Sequence, residues 1–222
     1  RRAPVSPPVV LTVAGSDSGG GAGIQADLKT IEAGGAFGTS VVTSVTAQHS
    51  RGVESAHVLP VEDVAAQVDA LTDDFDLAGL KTGMLATPEI VELVTAAVSD
   101  LAAPVVVDPV MVAASGDRLL AEAAEAAYAD LVAEAAPVTP NADEAEVLTG
   151  IDVTDAEAAR RAGEALVEMG ADAALVKGGH VPGDAVVDTL VTGDRVQRYR
   201  HDRIDTDATH GSGCTLSSAI AT

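Results

Sequence analysis

Short β-branched apolar runs alternate along this chain with amphipathic stretches of helical period, and that alternation most narrows what it can fold into. Val9-Val-Leu-Thr-Val-Ala14 reads as a buried strand and 15–23 as a glycine-rich turn. A helix over 24–33 follows, with Ile24, Leu28 and Ile31 on one face. Residues 39–47, 77–81, 104–108, 138–140 and 173–177 read as further strands. Helices are expected over 61–71, from a Thr87-Pro88 N-cap to about Asp100, and over 119–135, 141–148 and 155–169. Residues 186–192 and 196–200 read as a hairpin around Gly193-Asp194, and a last helix starts near Gly213. The order predicts an α/β fold: a doubly wound, mainly parallel sheet with helices on both faces and small β-hairpin elements. No composition shift or internal repeat divides the chain, so 1–222 reads as a single domain behind a flexible lead at 1–8.

In such sheets ligands bind outside the carboxyl ends of the strands. The residues with chemistry to offer fall there: Asp17 and its glycines, Gln48, Lys81-Thr-Gly-Met84, Asp108, Asn141-Ala-Asp-Glu144 and Lys177-Gly-Gly179. At the far end, Gly211-Ser-Gly-Cys214 opens the last helix. A glycine-rich turn entering a helix leaves backbone N–H groups unpaired with the helix dipole behind them, which makes an anion site. The same field lowers the pKa of a thiol in the first turn, so Cys214 is expected as a thiolate facing the atom that receives phosphate. The plainer reading is a glycine-capped helix start with a small buried thiol.

Asn141 and Glu144 lie three residues apart on one helix face beside a strand end. They suit Mg²⁺ held through its waters, or a capping box, or both at once. Asp108 either orders another metal-bound water or is a strand-end acid before Pro109. Lys177 either neutralises nucleotide phosphate or is a surface lysine at a turn. Only three lysines occur, Lys29, Lys81 and Lys177, in a chain that otherwise uses arginine, so each marks a place where arginine would not serve. No Gly-Lys-Ser or Gly-Lys-Thr exists, which excludes a Walker-type loop. Gly21-Ala-Gly-Ile-Gln-Ala26 fits the loose dinucleotide pattern, but the acid expected about 20 residues on is missing. A nicotinamide-linked oxidoreductase is therefore the rival reading.

With 34 acidic against 13 basic residues and a net charge of −21, the surface repels nucleic acid and anionic membrane. Two Phe, two Tyr and no Trp leave no platform for stacking bases. No run of 18 apolar residues occurs, the first residues form a polar, proline-rich lead rather than a signal peptide, and one cysteine agrees with a reducing compartment. A soluble cytoplasmic protein is expected. Acid spread evenly through the chain suits the salt-screened cytoplasm of a halophile.

Seven blocks then carry a resemblance: Val13-Ala-Gly-Ser-Asp-Ser-Gly-Gly-Gly-Ala-Gly-Ile-Gln-Ala-Asp-Leu-Lys-Thr30, Thr46-Ala-Gln48, Lys81-Thr-Gly-Met-Leu85, Val107-Asp-Pro-Val-Met111, Thr139-Pro-Asn-Ala-Asp-Glu144, Val176-Lys-Gly-Gly-His180 and Thr209-His-Gly-Ser-Gly-Cys-Thr215. In order, they resemble the blocks of the hydroxymethylpyrimidine/phosphomethylpyrimidine kinases, the thiamine-pathway branch of the ribokinase-like fold. The resemblance implies ATP- and Mg²⁺-dependent phosphorylation of 4-amino-5-hydroxymethyl-2-methylpyrimidine and then of its monophosphate. It implies that Gln48 reads the pyrimidine, that Asp27 lies by the substrate, and that Gly15, Ala22, Met84 and Val110 line its pocket. It makes Gly211, Ser212, Gly213 and Cys214 the hole for the transferred phosphoryl group. Cys214 stands where most sugar kinases of the fold carry Asp, which points to a vitamin precursor. The resemblance also implies a homodimer, and further C-terminal helices that this chain lacks after Thr222. Two alternatives stay open: a pyridoxal- or pyridoxine-type kinase, and a non-catalytic pyrimidine-binding regulatory domain.

Overall fold

β1 (Val9–Asp17) is the axis of the sheet, paired in parallel with β2 (Phe37–His49) on one side and β4 (Leu77–Thr82) on the other. The computed structural model describes residues 6–111, 126–206 and 208–222. β5 (Val105–Val107) extends the parallel set beyond β4. Val138 then bridges in parallel to Val107 and to Ala174 of β6 (Ala173–Val176), so the expected strand over 138–140 is reduced to single bridges. Antiparallel strands close both ends. β3 (Gly52–Val58) pairs with β2 at one edge, and β7 (Ala185–Thr192) and β8 (Val196–Asp202) continue from β6 at the other. The sheet is thus mixed, parallel at its centre and antiparallel at its edges.

Side chains of a strand alternate between faces. Leu11 and Val13 of β1 enter the larger core, with Val41, Leu80 and Val107. That core is covered by α2 (Val61–Thr72), α3 (Pro88–Ser99), α4 (Tyr128–Ala133), α5 (Ala142–Thr149) and α6 (Ala156–Glu168). Val10 faces the other way, against Ile31 and Ala36, under α1 (Gly23–Ala33) and α7 (Ser212–Ala221), which pack on each other. Local chemistry sets the helix starts. Thr87 accepts from the Ile90 amide with Pro88 at the first helical position, and Asp155 accepts from the Glu157 and Ala158 amides. The expected helix over 119–135 is seen as α4 alone, since 119–125 lie outside the described residues, as do 1–5 of the expected lead.

Candidate functional site

A cavity of about 430 Å³ opens where β1, β2, β4, β5 and β6 end. One end is formed by Gly15, Ala22, Gln48, Met84 and Val110, and the other by Asp108, Asn141, Glu144, Lys177 and the Gly211–Cys214 turn. Thirteen of the residues singled out from the sequence therefore meet in one space, although they span the chain from 15 to 214. Asp27 is the exception. Its carboxylate lies beneath the cavity, fully buried, and takes hydrogen bonds from Thr12, Ser218 and Lys81 at 2.6–3.0 Å. The expectation that it lies by the substrate as a binding residue is corrected only in this: it does not line the cavity, and four donated bonds fill its capacity.

The far end of the cavity is built on α7. Gly211 takes a left-handed conformation at the helix start, φ 79°. A Cβ there would lie 1.7 Å from the Gly21 carbonyl oxygen, so only glycine permits the turn to close on the loop after β1. The Ser212 amide donates to the Thr209 carbonyl at 3.1 Å, and the Gly213 and Cys214 amides of the first helical turn are left to face the cavity. A latch holds the two loops together: His210 Nε2 lies 2.9 Å from Asp17 Oδ2, and Asp17 also accepts from the Gly19, Gly21 and Ala22 amides at 2.7–3.0 Å. Burial opposes the Asp17 charge, but the His210 contact and those amides outweigh it and hold its carboxyl below the usual range.

Cys214 is half-buried at the cavity wall. The expectation that the helix start lowers its pKa does not hold. Burial pushes the thiol above its ordinary value, and Lys81 opposes this without cancelling it, while Asp108 and Asp27 push further up and the Gly23 amide pulls down. Field and desolvation compete at such a site, and here desolvation wins.

The acidic cluster is held by Lys177, whose Nζ lies 3.2 Å from Asp108 Oδ1 and 4.0 Å from Glu144 Oε2. Asn141 and Glu144 do form a capping box, Asn141 Oδ1 accepting from the Glu144 amide at 2.9 Å and Glu144 Oε2 from the Asn141 amide at 2.8 Å. Burial pushes Glu144 up to about 7, with Lys177 pulling down and Asp108 pushing up. Lys177 keeps its proton because Asp108 and Glu144 outweigh its desolvation. At 15% exposure and 3.2 Å from Asp108, it is not the surface lysine of the alternative reading. Among the described residues no three His, Cys, Asp or Glu side chains form a metal cage. The cluster has hard oxygen donors and one carboxylate close to neutrality, which fits a Mg²⁺ ion bound mostly through water and phosphate rather than a protein cage.

Lys81 and His210 are among the lining residues to which the sequence assigned no role. Lys81 lines the cavity from the end of β4, and its signal was its survival in a chain poor in lysine. His210 also lines it, and its only signal was its place beside Gly211.

The phosphomethylpyrimidine kinase family model matches residues 17–222. The hydroxymethylpyrimidine/phosphomethylpyrimidine kinase of Streptomyces coelicolor is 53% identical over 219 residues, covering 98% of this chain and 81% of that protein. The crystal structure of phosphomethylpyrimidine kinase from Clostridium difficile 630 superposes with a TM-score of 0.85 at 39% identity, over 96% of this chain and 89% of that one. The Bacillus subtilis pyridoxal kinase in its ADP complex gives a TM-score of 0.89 at 33% identity, over 97% and 83%. A ribokinase-like sheet and a family match over residues 17–222 make this chain a member of the phosphomethylpyrimidine kinase family.

Proposed function

We infer that the chain is a phosphotransferase that moves the γ-phosphoryl group of ATP onto 4-amino-5-hydroxymethyl-2-methylpyrimidine, and then onto the monophosphate so formed, giving the diphosphate used in thiamine biosynthesis. One observation carries the reading: Gln48 and Cys214 border a single cavity, with Gly15, Ala22, Met84 and Val110 around the first and the α7 turn around the second. Gln48 has both donor and acceptor for an aminopyrimidine edge. The acceptor oxygen bonds to the γ-phosphorus, the bond to the β–γ bridging oxygen breaks and ADP leaves, and the acceptor proton passes to Cys214 Sγ. The amides of Gly211, Gly213 and Cys214 face the charge that develops, while Ser212, its amide held by the Thr209 carbonyl, shapes the turn. Lys177 offers its charge to the nucleotide phosphates, and Asp108, Asn141 and Glu144 would hold Mg²⁺, which supplies charge neutralisation at the phosphates when bound.

A coupled ADP-release assay with the pyrimidine alcohol, Mg²⁺ and molar KCl tests this. ADP should form with the alcohol and with its monophosphate, and Cys214→Ala should lower turnover about 10²-fold or more while ATP binding is kept. Turnover of pyridoxal but not of the pyrimidine would overturn the substrate; pyrimidine binding without ADP would overturn the enzyme. A single cysteine, a net charge of −21 and the family resemblance support reading the protein as one domain in the cytoplasm of a halophile, acting as a homodimer. Among the described residues no helix is long and apolar enough to cross a membrane. Sedimentation checks the dimer, and an unfolding midpoint that rises from low to molar KCl checks the salt adaptation.

A further inference from the structure

Lys81 sits at the end of β4 on the cavity wall, and the transfer as written gives it no task. Its side chain and that of Asp27 are both 0% exposed, with Nζ 3.0 Å from each carboxylate oxygen. Thr12 on β1 and Ser218 on α7 donate to the same carboxylate at 2.6 and 2.8 Å. Asp27 is saturated by these bonds, but the ammonium is not. It carries three N–H groups, Asp27 takes two, and among the described residues Lys81 has no other hydrogen-bond partner. Beside it is Gly83, where an added Cβ would come within 2.9 Å of Nζ, so the glycine leaves room for the ammonium just beneath the cavity wall. Burial works against the Lys81 charge, and Cys214, Asp27 and Asp108 together outweigh it. The group is thus a permanent cation, compact enough for the space as a guanidinium would not be.

We propose that Lys81 is a positioning residue for the transfer: an ammonium fixed by Asp27, its spare N–H toward the cavity, that supports the anionic sulfur of Cys214 when the acceptor hydroxyl gives up its proton. This rests on Cys214 as the proton acceptor. It resolves the difficulty that a buried thiol at an anion site resists ionisation. The charged groups facing Cys214 are Lys81 from β4, Asp27 from α1, Asp108 after β5 and Lys177 after β6. Of these, Lys81 is the first to pull the thiol down.

Cys214 is the only cysteine in the chain, so its alkylation by iodoacetamide can be followed against pH in the free protein, with neither nucleotide nor pyrimidine present. Two variants make the test. Lys81→Met/Asp27→Leu removes the pair together and leaves no buried charge unpaired. Asp27→Asn keeps the cation and removes its counter-charge. The midpoint of alkylation should rise by about one pH unit in the double variant, a tenfold loss of thiolate on the rising limb, and should fall in Asp27→Asn. In the double variant turnover should drop about tenfold, its pH profile moving with the thiol, at an unchanged KM for ATP. A merely structural role would leave the thiol midpoint alone, or shift both variants the same way, and either result overturns the proposal. Since the thiol titration needs no substrate, a failure of the kinase reading would show separately, as absence of ADP release by the unmodified protein.

Discussion

Two lysine–aspartate pairs flank the first turns of α7, and they are built from the same parts. Lys81 and Lys177 each follow or end a central strand, and each reaches its carboxylate at 3.0 and 3.2 Å respectively. Neighbouring serines of α7 brace them: Ser218 donates to Asp27 at 2.8 Å and Ser217 to Asp108 at 3.1 Å. Exposure separates them. The first pair is sealed at 0% and 0%, while Lys177 is 15% exposed and its aspartate 2%. The second also carries a surplus carboxylate, Glu144, within 4.0 Å. A sealed, balanced pair cannot exchange partners and serves as a fixed charge. An open, unbalanced one is free to exchange partners.

The sharpest way to break this comparison is to remove one lysine at a time. Lys81→Met strands Asp27 as an unpaired buried carboxylate and should cost about 3–5 kcal/mol in denaturant unfolding, most of it regained in Lys81→Met/Asp27→Leu. Lys177→Met should cost less than half of that, because Glu144, already pushed up to about 7, takes up a proton when the cation goes. Equal losses at the two sites would show that both pairs are structural.

The sequence made the open pair far more legible than the sealed one. Lys177, Asp108 and Glu144 all follow strands, and strand ends in a parallel sheet face one space, so position alone assembles them. Asp27 lies within a helix, where position has to be read from the apolar face. Ile24, Leu28 and Ile31 suggested one face, but the buried residues of α1 are Ala26, Asp27 and Ile31. A charge on the core-facing side breaks the pattern used to find that side, and only the register of Thr12 beside Lys81 on β1 and β4 reveals its partner. Likewise β3 went unforeseen: its residues are exposed or half-buried, so it carries no apolar alternation. The Cys214 ionisation was misjudged because a sequence shows the helix start that lowers it and hides the depth that raises it.

The surplus carboxylate gives the open pair a pH signature that the sealed pair lacks. Burial raises Glu144 to about 7 from an ordinary 4.5, so the folded state binds this proton more tightly than the unfolded state does. The associated stability is complete below about pH 4.5 and is lost as pH rises through about 7. In buffer free of divalent ions, stability should decline by about 2–3 kcal/mol between pH 5 and 8. Glu144→Gln should remove most of this slope, and millimolar Mg²⁺ should flatten it by favouring the ionised form. A slope that survives in Glu144→Gln would assign it to another group and leave the two pairs electrostatically alike.

The finest division lies between adjacent residues, Ser217 and Ser218. Both hydroxyls are buried, and each is one bond from a buried carboxylate, so either alanine substitution should cost about 1–3 kcal/mol if burial alone decided. The pairs they brace predict a split instead. Ser218→Ala takes one of four bonds from Asp27, which no solvent can replace, and should act mainly on stability. Ser217 shares its single proton among Asp108 and the Gly213 and Cys214 carbonyls, at 3.1, 2.9 and 3.2 Å, so its loss takes only part of a bond from Asp108 and loosens it beside the α7 turn. Water entering from the cavity can satisfy Asp108, so Ser217→Ala should unfold nearly as the wild type does while turnover falls several-fold. Parallel denaturation curves and ADP-release rates on the two variants decide it: matching losses of stability and turnover in both would mean that α7 transmits the two pairs to the site as one rigid body, without the division of labour that their exposures imply.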